Sequence, residues 1–208
     1  MKKRKPTVSV VDDDEALCEG LRWLLESEAL NVETHTSAEA FLDAYDPDCP
    51  GCLVLDVRMG GMSGLELQAK LAEQELSVPV IVLTGHADVP MAVQATKAGA
   101  VEFLQKPVDD QVLLDCIHRA IELDAQVRER QAADAEFAAR IELLTPRQRE
   151  VLDLVVAGKA NKQIAAGFGV SPRTVEVHRK RIMRKLRVKS SVDLVRNVMA
   201  LRAPQPRL

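Results

Sequence analysis

The sequence predicts an α/β fold, a doubly wound five-stranded parallel sheet in the order 2-1-3-4-5, joined by a helical linker to a smaller all-α domain. Three observations carry this. From Thr7 to about Leu123, strands of four or five residues alternate with helix-length segments, the pattern of βαβ units. The runs Cys52-Leu-Val-Leu55 and Val80-Ile-Val-Leu83 are continuously apolar, as strands buried on both faces must be. From Leu143 onward the strands stop, and capped, basic helices take over. At 208 residues, two small domains are favoured over one large one.

Taken in order, the strands are Thr7–Val11, Asn31–His35, Cys52–Asp56, Val80–Thr84 and Val101–Leu104. The helices between and after them are Glu15–Glu28, Ala38–Ala44, Gly64–Glu75, Val89–Ala98 and Asp110–Leu123. Residues 124–142 hold no Gly or Pro and consist almost wholly of good helix formers. They continue the fifth helix, either as a solvated spacer or as a dimerising coil with a weak heptad. Thr145 then offers an N-cap with Pro146 at the first helical position, and that helix runs to Ala157 before Gly158. Asn161–Phe168 follows, stopped by Gly169. Ser171-Pro172 caps Arg173–Leu186, and Ser191–Leu201 is last. Two helices joined by a tight Gly-containing turn, the second rich in Arg and Lys, form a helix-turn-helix pattern. The expected divisions are 1–123, a linker 124–142, and 143–208.

The apolar fraction of 47% supports ordinary cores, and the 3% aromatic share means that Leu, Val, Ile and Ala build them. No stretch approaches the ~20 apolar residues that span a bilayer. Met1-Lys-Lys-Arg-Lys5 resembles the start of a signal peptide, but a strand and four acids follow it instead of an apolar core. A solvated tail and a cytoplasmic protein are expected. The net charge of −3 conceals a division: residues 1–125 hold 10 Lys/Arg against 23 Asp/Glu, and residues 126–208 hold 18 against 8. Nucleic acid is the expected partner of the basic part. Cys49-Pro-Gly-Cys52 has CxxC spacing, but no second Cys/His pair lies near it, so Cys52 reads as a small buried hydrophobe.

Chemistry collects at the strand ends. The acid run Asp12-Asp13-Asp14-Glu15, the lone carboxylate Asp56, Thr84 and Lys106-Pro107 all sit at or just past C-terminal strand ends, which converge on one edge of an open parallel sheet. Packed carboxylates repel unless a cation joins them, and few hard oxygen ligands suit Mg²⁺ (or Mn²⁺). Asp12 and Asp13 can hold that cation near Asp56, the expected nucleophile. Lys106 can pair with a phosphoryl oxygen as a point charge, and Thr84 can donate its hydroxyl hydrogen. A haloacid-dehalogenase-type phosphatase also uses a strand-end Asp, but it wants a second acid two residues later, where Arg58 stands.

Residues from about 6 to 125 resemble the receiver domain of two-component response regulators. The stretches that carry the resemblance are Val10-Val-Asp12-Asp13-Asp14, Leu55-Asp56-Val-Arg58-Met59, Thr84-Gly85 and Phe103-Leu-Gln-Lys106-Pro107. It implies Asp56 as phosphoacceptor, and Asp13, Asp56 and the backbone carbonyl of Arg58 as metal ligands, with Asp12 assisting through water. It also implies a cis Lys106-Pro107 bond. Thr84 and the aromatic Phe103 would move together on phosphorylation, and Phe103, having no hydroxyl, would act by ring burial alone. One departure is Gly60-Gly61-Met62, where the family usually has proline after the methionine; two glycines loosen this loop.

In the third basic helix, Val175, His178, Ile182 and Leu186 share one stripe and read as core. Arg173, Glu176, Val177, Lys180 and Arg184 occupy the opposite side, flanked by Arg179, Arg181 and Lys185. Such a helix suits a DNA major groove. Leu144-Thr-Pro-Arg-Gln-Arg-Glu150-Val-Leu152, Asn161-Lys-Gln-Ile-Ala165 and Ser171-Pro-Arg-Thr-Val175-Glu-Val-His178 resemble the output domain of the FixJ/NarL (LuxR-type) regulators. By that resemblance Glu176, Val177 and Lys180 face bases, while Lys162, Arg173, Thr174, Arg179 and Lys185 contact phosphates. Glu176 also stands at i,i+4 spacing from Lys180, so an intrahelical pair competes with base readout as its role. The last helix, with Val192, Val195, Val198 and Met199, reads either as a dimer surface or as core.

Together these readings predict a response regulator, not a dedicated enzyme. A sensor histidine kinase would phosphorylate it on Asp56, and it would then form a homodimer and bind a pseudo-palindromic double-stranded DNA site. The alternatives are DNA binding independent of phosphorylation, or an interaction module whose basic end is only structural.

Overall fold

The computed structural model describes residues 4–74 and 76–203. Met1–Lys3 of the basic tail and Glu75, the expected end of the third helix, lie outside the described residues. The described chain forms two compact units, one up to Arg128 and one from Glu129.

The first unit alternates β1 (Thr7–Val11), α1 (Glu15–Ser27), β2 (Asn31–His35), α2 (Ala38–Ala44), β3 (Gly51–Leu55), α3 (Gly64–Glu73), β4 (Val80–Thr84), α4 (Val89–Lys97), β5 (Glu102–Gln105) and α5 (Asp110–Glu142). All strand pairs are parallel and the order is β2-β1-β3-β4-β5. Because side chains alternate faces along a strand, each central strand feeds two cores. Val8, Val10, Cys52, Val54, Ile81 and Leu83 pack with Leu21 and Leu25 of α1 and Leu113 and Ile117 of α5. Val11, Leu53, Leu55, Val80 and Val82 pack with Phe41 of α2, Leu67 and Leu71 of α3 and Ala95 of α4. Each fully buried aliphatic side chain contributes about 1.5–3 kcal/mol relative to exposure.

Asp14 caps α1 by accepting from the backbone N–H groups of Ala16 and Leu17, so this member of the acid run is committed to the backbone. β3 starts at Gly51, one residue earlier than expected, and its end at Leu55 leaves Asp56 just past the strand. β5 is shifted one residue onward. The four cysteines are free thiols; burial pushes the Cys52 thiol up to about 12, as a core hydrophobe rather than a redox partner. Arg4 is not simply solvated, since it pairs with Asp46 at 2.5 Å.

The fifth helix has 33 residues, extending the predicted helix through the whole linker stretch. Within the first unit it is tied to the start of β3. Asp124, buried, accepts from Gly51 N at 2.9 Å and from Arg128 Nε at 2.8 Å. Arg128 also donates to the carbonyls of Pro47 and Cys49 at 2.9 and 2.8 Å. Only glycine fits at position 51: φ is +151°, and a Cβ would lie 1.8 Å from the Thr7 carbonyl oxygen.

The second unit contains the end of α5, then α6 (Pro146–Val156), α7 (Asn161–Phe168), α8 (Pro172–Leu186) and α9 (Ser191–Arg202). Its core joins Phe137 and Leu144 to Val151, Leu152, Ile164, Val175, Ile182, Leu186, Leu194 and Val198. The buried Phe137 shows that the predicted linker residues do more than space the units. In α9, Leu194 and Val198 are core, whereas Val192 and Met199 are exposed. Among the described residues, no helix is long and apolar enough to cross a membrane.

Candidate functional sites

Parallel pairing builds the first site. Val11 of β1 is in register with Leu55 of β3, so Asp12 and Asp56, the next residue of each, emerge side by side; Asp56 N donates to Val11 O at 2.9 Å. Both carboxylates are buried. From the end of β5, Lys106 reaches between them, and its Nζ donates to Asp12 Oδ2 at 2.5 Å and to Asp56 Oδ1 at 2.9 Å. The Lys106-Pro107 bond is cis. Burial pulls the Lys106 pKa down, but the hydrogen bonds and charges of Asp12 and Asp56 outweigh it and hold the ammonium above its ordinary value. Asp56 Oδ2 accepts from Arg58 N at 2.6 Å, and Asp12 Oδ1 accepts from Asp14 N at 3.0 Å.

Thr84 is buried at the end of β4, with Oγ1 accepting from His86 N at 3.4 Å. Phe103, half-buried on β5, packs against the core under α2, α3 and α4. Arg58 and Asp13 are exposed. Asp13 turns to the following loop, where its Oδ2 accepts from Gly60 N at 3.1 Å. Two features of this pocket went unread in the sequence. Glu39 of α2 accepts from Met62 N at 3.2 Å, so carboxylates on two other segments hold the Gly60-Gly61 loop. Gly64 opens α3 directly against the acceptor's backbone: a Cβ there would lie 2.1 Å from the Asp56 carbonyl oxygen. A Ser-Gly pair opening a helix shortly after Asp56 was the available signal for Gly64; nothing in the sequence marked Glu39.

The donors fit a hard divalent cation: three carboxylates against one ammonium leave negative charge, and carboxylate oxygen is the ligand Mg²⁺ prefers. Among the described residues, no three His, Cys, Asp or Glu side chains converge on one point, because Lys106 lies between Asp12 and Asp56 and Asp13 faces Gly60.

The second site lies on α7 and α8. Val175, Ile182 and Leu186 are fully buried, which turns the opposite side of α8 outward. Lys162, Arg173, Thr174, Glu176, Val177 and Lys180 are exposed. Glu176 Oε1 pairs with Lys180 Nζ at 2.9 Å, and that hydrogen bond and charge hold the Glu176 pKa below its ordinary value. A groove of about 590 Å³ brings Lys162, Glu176, Arg179 and Lys180 together. Two expected phosphate contacts have protein partners in the DNA-free chain. Lys185 donates to Leu143 O at 2.9 Å and Gln148 Oε1 at 3.0 Å, while Arg179 donates to Asn161 and Ser191.

Residues 8–118 match the response regulator receiver domain family, and residues 142–198 match the luxR family of bacterial regulatory proteins. The transcriptional regulatory protein FixJ of Azorhizobium caulinodans is 48% identical over 196 residues, 94% of this chain and 92% of that protein. The FixJ of Rhizobium meliloti is 47% identical, with 93% and 95% covered. Among solved structures, the response regulator StyR matches with a TM-score of 0.79 at 47% identity, over 94% of this chain and 98% of that one. Full-length FixJ from B. japonicum matches with a TM-score of 0.57 at 40% identity, over 95% and 97%. This chain belongs to the response regulators, as a FixJ-like member with a receiver domain and a LuxR-type DNA-binding domain, in a family of transcription regulators rather than dedicated enzymes.

Proposed function

We propose that a sensor histidine kinase phosphorylates this protein on Asp56 in the cytoplasm, and that the phosphorylated form dimerises and binds a pseudo-palindromic double-stranded DNA site. One observation carries the assignment of Asp56. It is the buried carboxylate just past the central strand β3, with Asp12 past β1 on one side and Thr84 ending β4 on the other, and Lys106 Nζ donates to it at 2.9 Å. This contact and the one from Arg58 N fix the direction of the carboxylate.

In the transfer, an Asp56 oxygen bonds to phosphorus as the P–N bond to the donor histidine breaks, and the departing imidazole takes up a proton. Lys106 is placed to move from bridging Asp12 and Asp56 to pairing with a phosphoryl oxygen, and the Thr84 hydroxyl to donate to another. A bound Mg²⁺ (or Mn²⁺), held by Asp13, Asp56 and the Arg58 carbonyl with Asp12 assisting through water, would offset repulsion between carboxylates and phosphoryl group. On DNA, Glu176, Val177 and Lys180 face base edges, and Lys162, Arg173 and Thr174 meet phosphates.

Acetyl phosphate with Mg²⁺ should label the wild type and leave Asp56→Asn unlabelled. Equal labelling of the two proteins would remove Asp56 as acceptor.

A further inference from the structure

The groove on the second unit mixes two kinds of cation. Lys162 and Lys180 extend into solution, whereas Arg179, half-buried, is spent on the protein itself. Its Nη1 donates to Asn161 Oδ1 at 2.8 Å and its Nη2 to Ser191 Oγ at 2.9 Å. Asn161 is the first residue of α7 and Ser191 the first of α9. One guanidinium in the middle of α8 thus joins the starts of both neighbouring helices.

We infer that Arg179 is a positioning residue, which sets α7 and α9 on α8 and so fixes the spacing of the helix-turn-helix, and not a contact to the DNA backbone. The inference rests on reading this unit as DNA-binding. Three physical points support it. A planar fork with separate N–H groups holds two acceptors at a set separation, which the single ammonium of lysine does not. A cation at two helix N-termini stands at the unfavourable end of both dipoles, so general electrostatics does not account for its place and two specific hydrogen bonds do. Finally, no N-cap side chain anchors the start of α7, and Arg179, which only donates, anchors it through the Asn161 side-chain oxygen instead. The N-cap of α7 is Ala160, which has no side-chain acceptor for the first-turn N–H groups.

The consequence for recognition is geometric. Lys162 follows Asn161 directly on α7, while Glu176 and Lys180 are on α8, and all of them line one groove. A phosphate contact on one helix registers base readers on the other only while the separation between the helices is constant. Arg179 is the side chain that spans that separation on the groove side.

The test uses the full-length protein and four variants: Arg179→Met, Arg179→Lys, Asn161→Ala and Ser191→Ala. In hydrogen exchange of the free protein, Arg179→Met and Arg179→Lys should both speed amide exchange in the first turns of α7 and α9 by about tenfold or more, leaving α6 unchanged. Asn161→Ala should reproduce the α7 effect and Ser191→Ala the α9 effect, and neither should add to Arg179→Met. In binding to random-sequence duplex DNA over a salt series, Arg179→Met should keep the wild-type slope. A phosphate contact would instead lower the slope by about one, with Arg179→Lys resembling wild type. That result, together with unchanged exchange, would overturn the positioning role. If the wild type bound no DNA, the DNA-binding reading would fail, and the exchange measurements would still decide what Arg179 does to α7 and α9.

Discussion

Lys106 carries the electrostatics of the acceptor pocket. Its side chain is 22% exposed and those of Asp12 and Asp56 are 6% exposed, so replacing it with a neutral residue leaves two buried carboxylates facing each other. Lys106→Met should therefore cost about 3 kcal/mol at neutral pH, the low end of the range for removing one partner of a buried pair. The pH dependence has a definite sign. The folded pKa of Lys106 is raised, so its stabilisation is complete below the unfolded value of about 10.4 and is lost as pH rises through the folded one. Tyr45, whose hydroxyl burial pushes up, weakens both proteins in the same alkaline window. The difference between wild type and Lys106→Met in urea unfolding should accordingly shrink above about pH 10.4; a constant difference would mean that the ammonium is not the stabilising form. On the DNA side, Glu176 and Lys180 are exposed and paired, a geometry that adds little to stability. Glu176→Gln should leave the unfolding midpoint unchanged yet relax base preference at one position per half-site, because an acceptor-only carboxylate facing cytosine N4 becomes an uncharged amide that can also donate. An unaltered motif in a randomised-site selection would reduce Glu176 to its helix pair.

Two elements are fixed by contacts that an exchange of one residue breaks. The first is α5, which Asp124 and Arg128 bind to the start of β3. Arg128→Met removes the counter-charge of a buried carboxylate and two donors to backbone carbonyls, and should cost about 3 kcal/mol. Urea unfolding measures that loss; a change within about 0.5 kcal/mol, as for an ordinary surface residue, would mean that α5 is held by its apolar face alone. The second is α3, whose first residue lies against the backbone of Asp56. Gly64→Ala places a carbon 2.1 Å from that carbonyl oxygen, where backbone must move. A loss of about 1–3 kcal/mol and slower labelling by acetyl phosphate are expected together. Gly60→Ala is the control, since a Cβ there meets nothing within 4 Å and φ is not positive. It should be neutral or slightly stabilising, and comparable damage from both substitutions would discount the packing argument.

Over the whole molecule the charge is divided, with an acidic receiver and a basic output domain. Affinity for any duplex should fall steeply with salt because each neutralised phosphate releases counterions. In the proposed dimer, two linked output domains would bind two half-sites with a high effective concentration, so dimerisation alone would raise affinity without any new contact. Phosphorylation should therefore shift the protein from monomer to dimer in sedimentation and raise DNA affinity in parallel. A rise in affinity at unchanged mass would favour release of the basic domain from its acidic neighbour instead.

The sequence by itself determined the strand order, the helix starts and the placement of Asp12, Asp56, Thr84 and Lys106 at one sheet edge. These follow from short strand runs alternating with helix-length segments, which suit the doubly wound order, from continuous apolar runs, from the Thr145 and Ser171 caps, and from the fact that parallel strands end on one side. What only the tertiary structure decided is which side chains meet across long stretches of chain. Asp13 and Glu39 were not legible as the groups that hold the Gly60-Gly61 loop, nor Arg179 and Lys185 as side chains bonded to other segments of their own unit, although all four are ordinary surface types. The burial of Phe137 in the second core, and the division of α9 into buried Leu194 and Val198 and exposed Val192 and Met199, were likewise ambiguous in a helical pattern. Periodicity states which face of an element is apolar. The partner of a particular polar group depends on distances between segments far apart in sequence, and those distances exist only once the elements have packed.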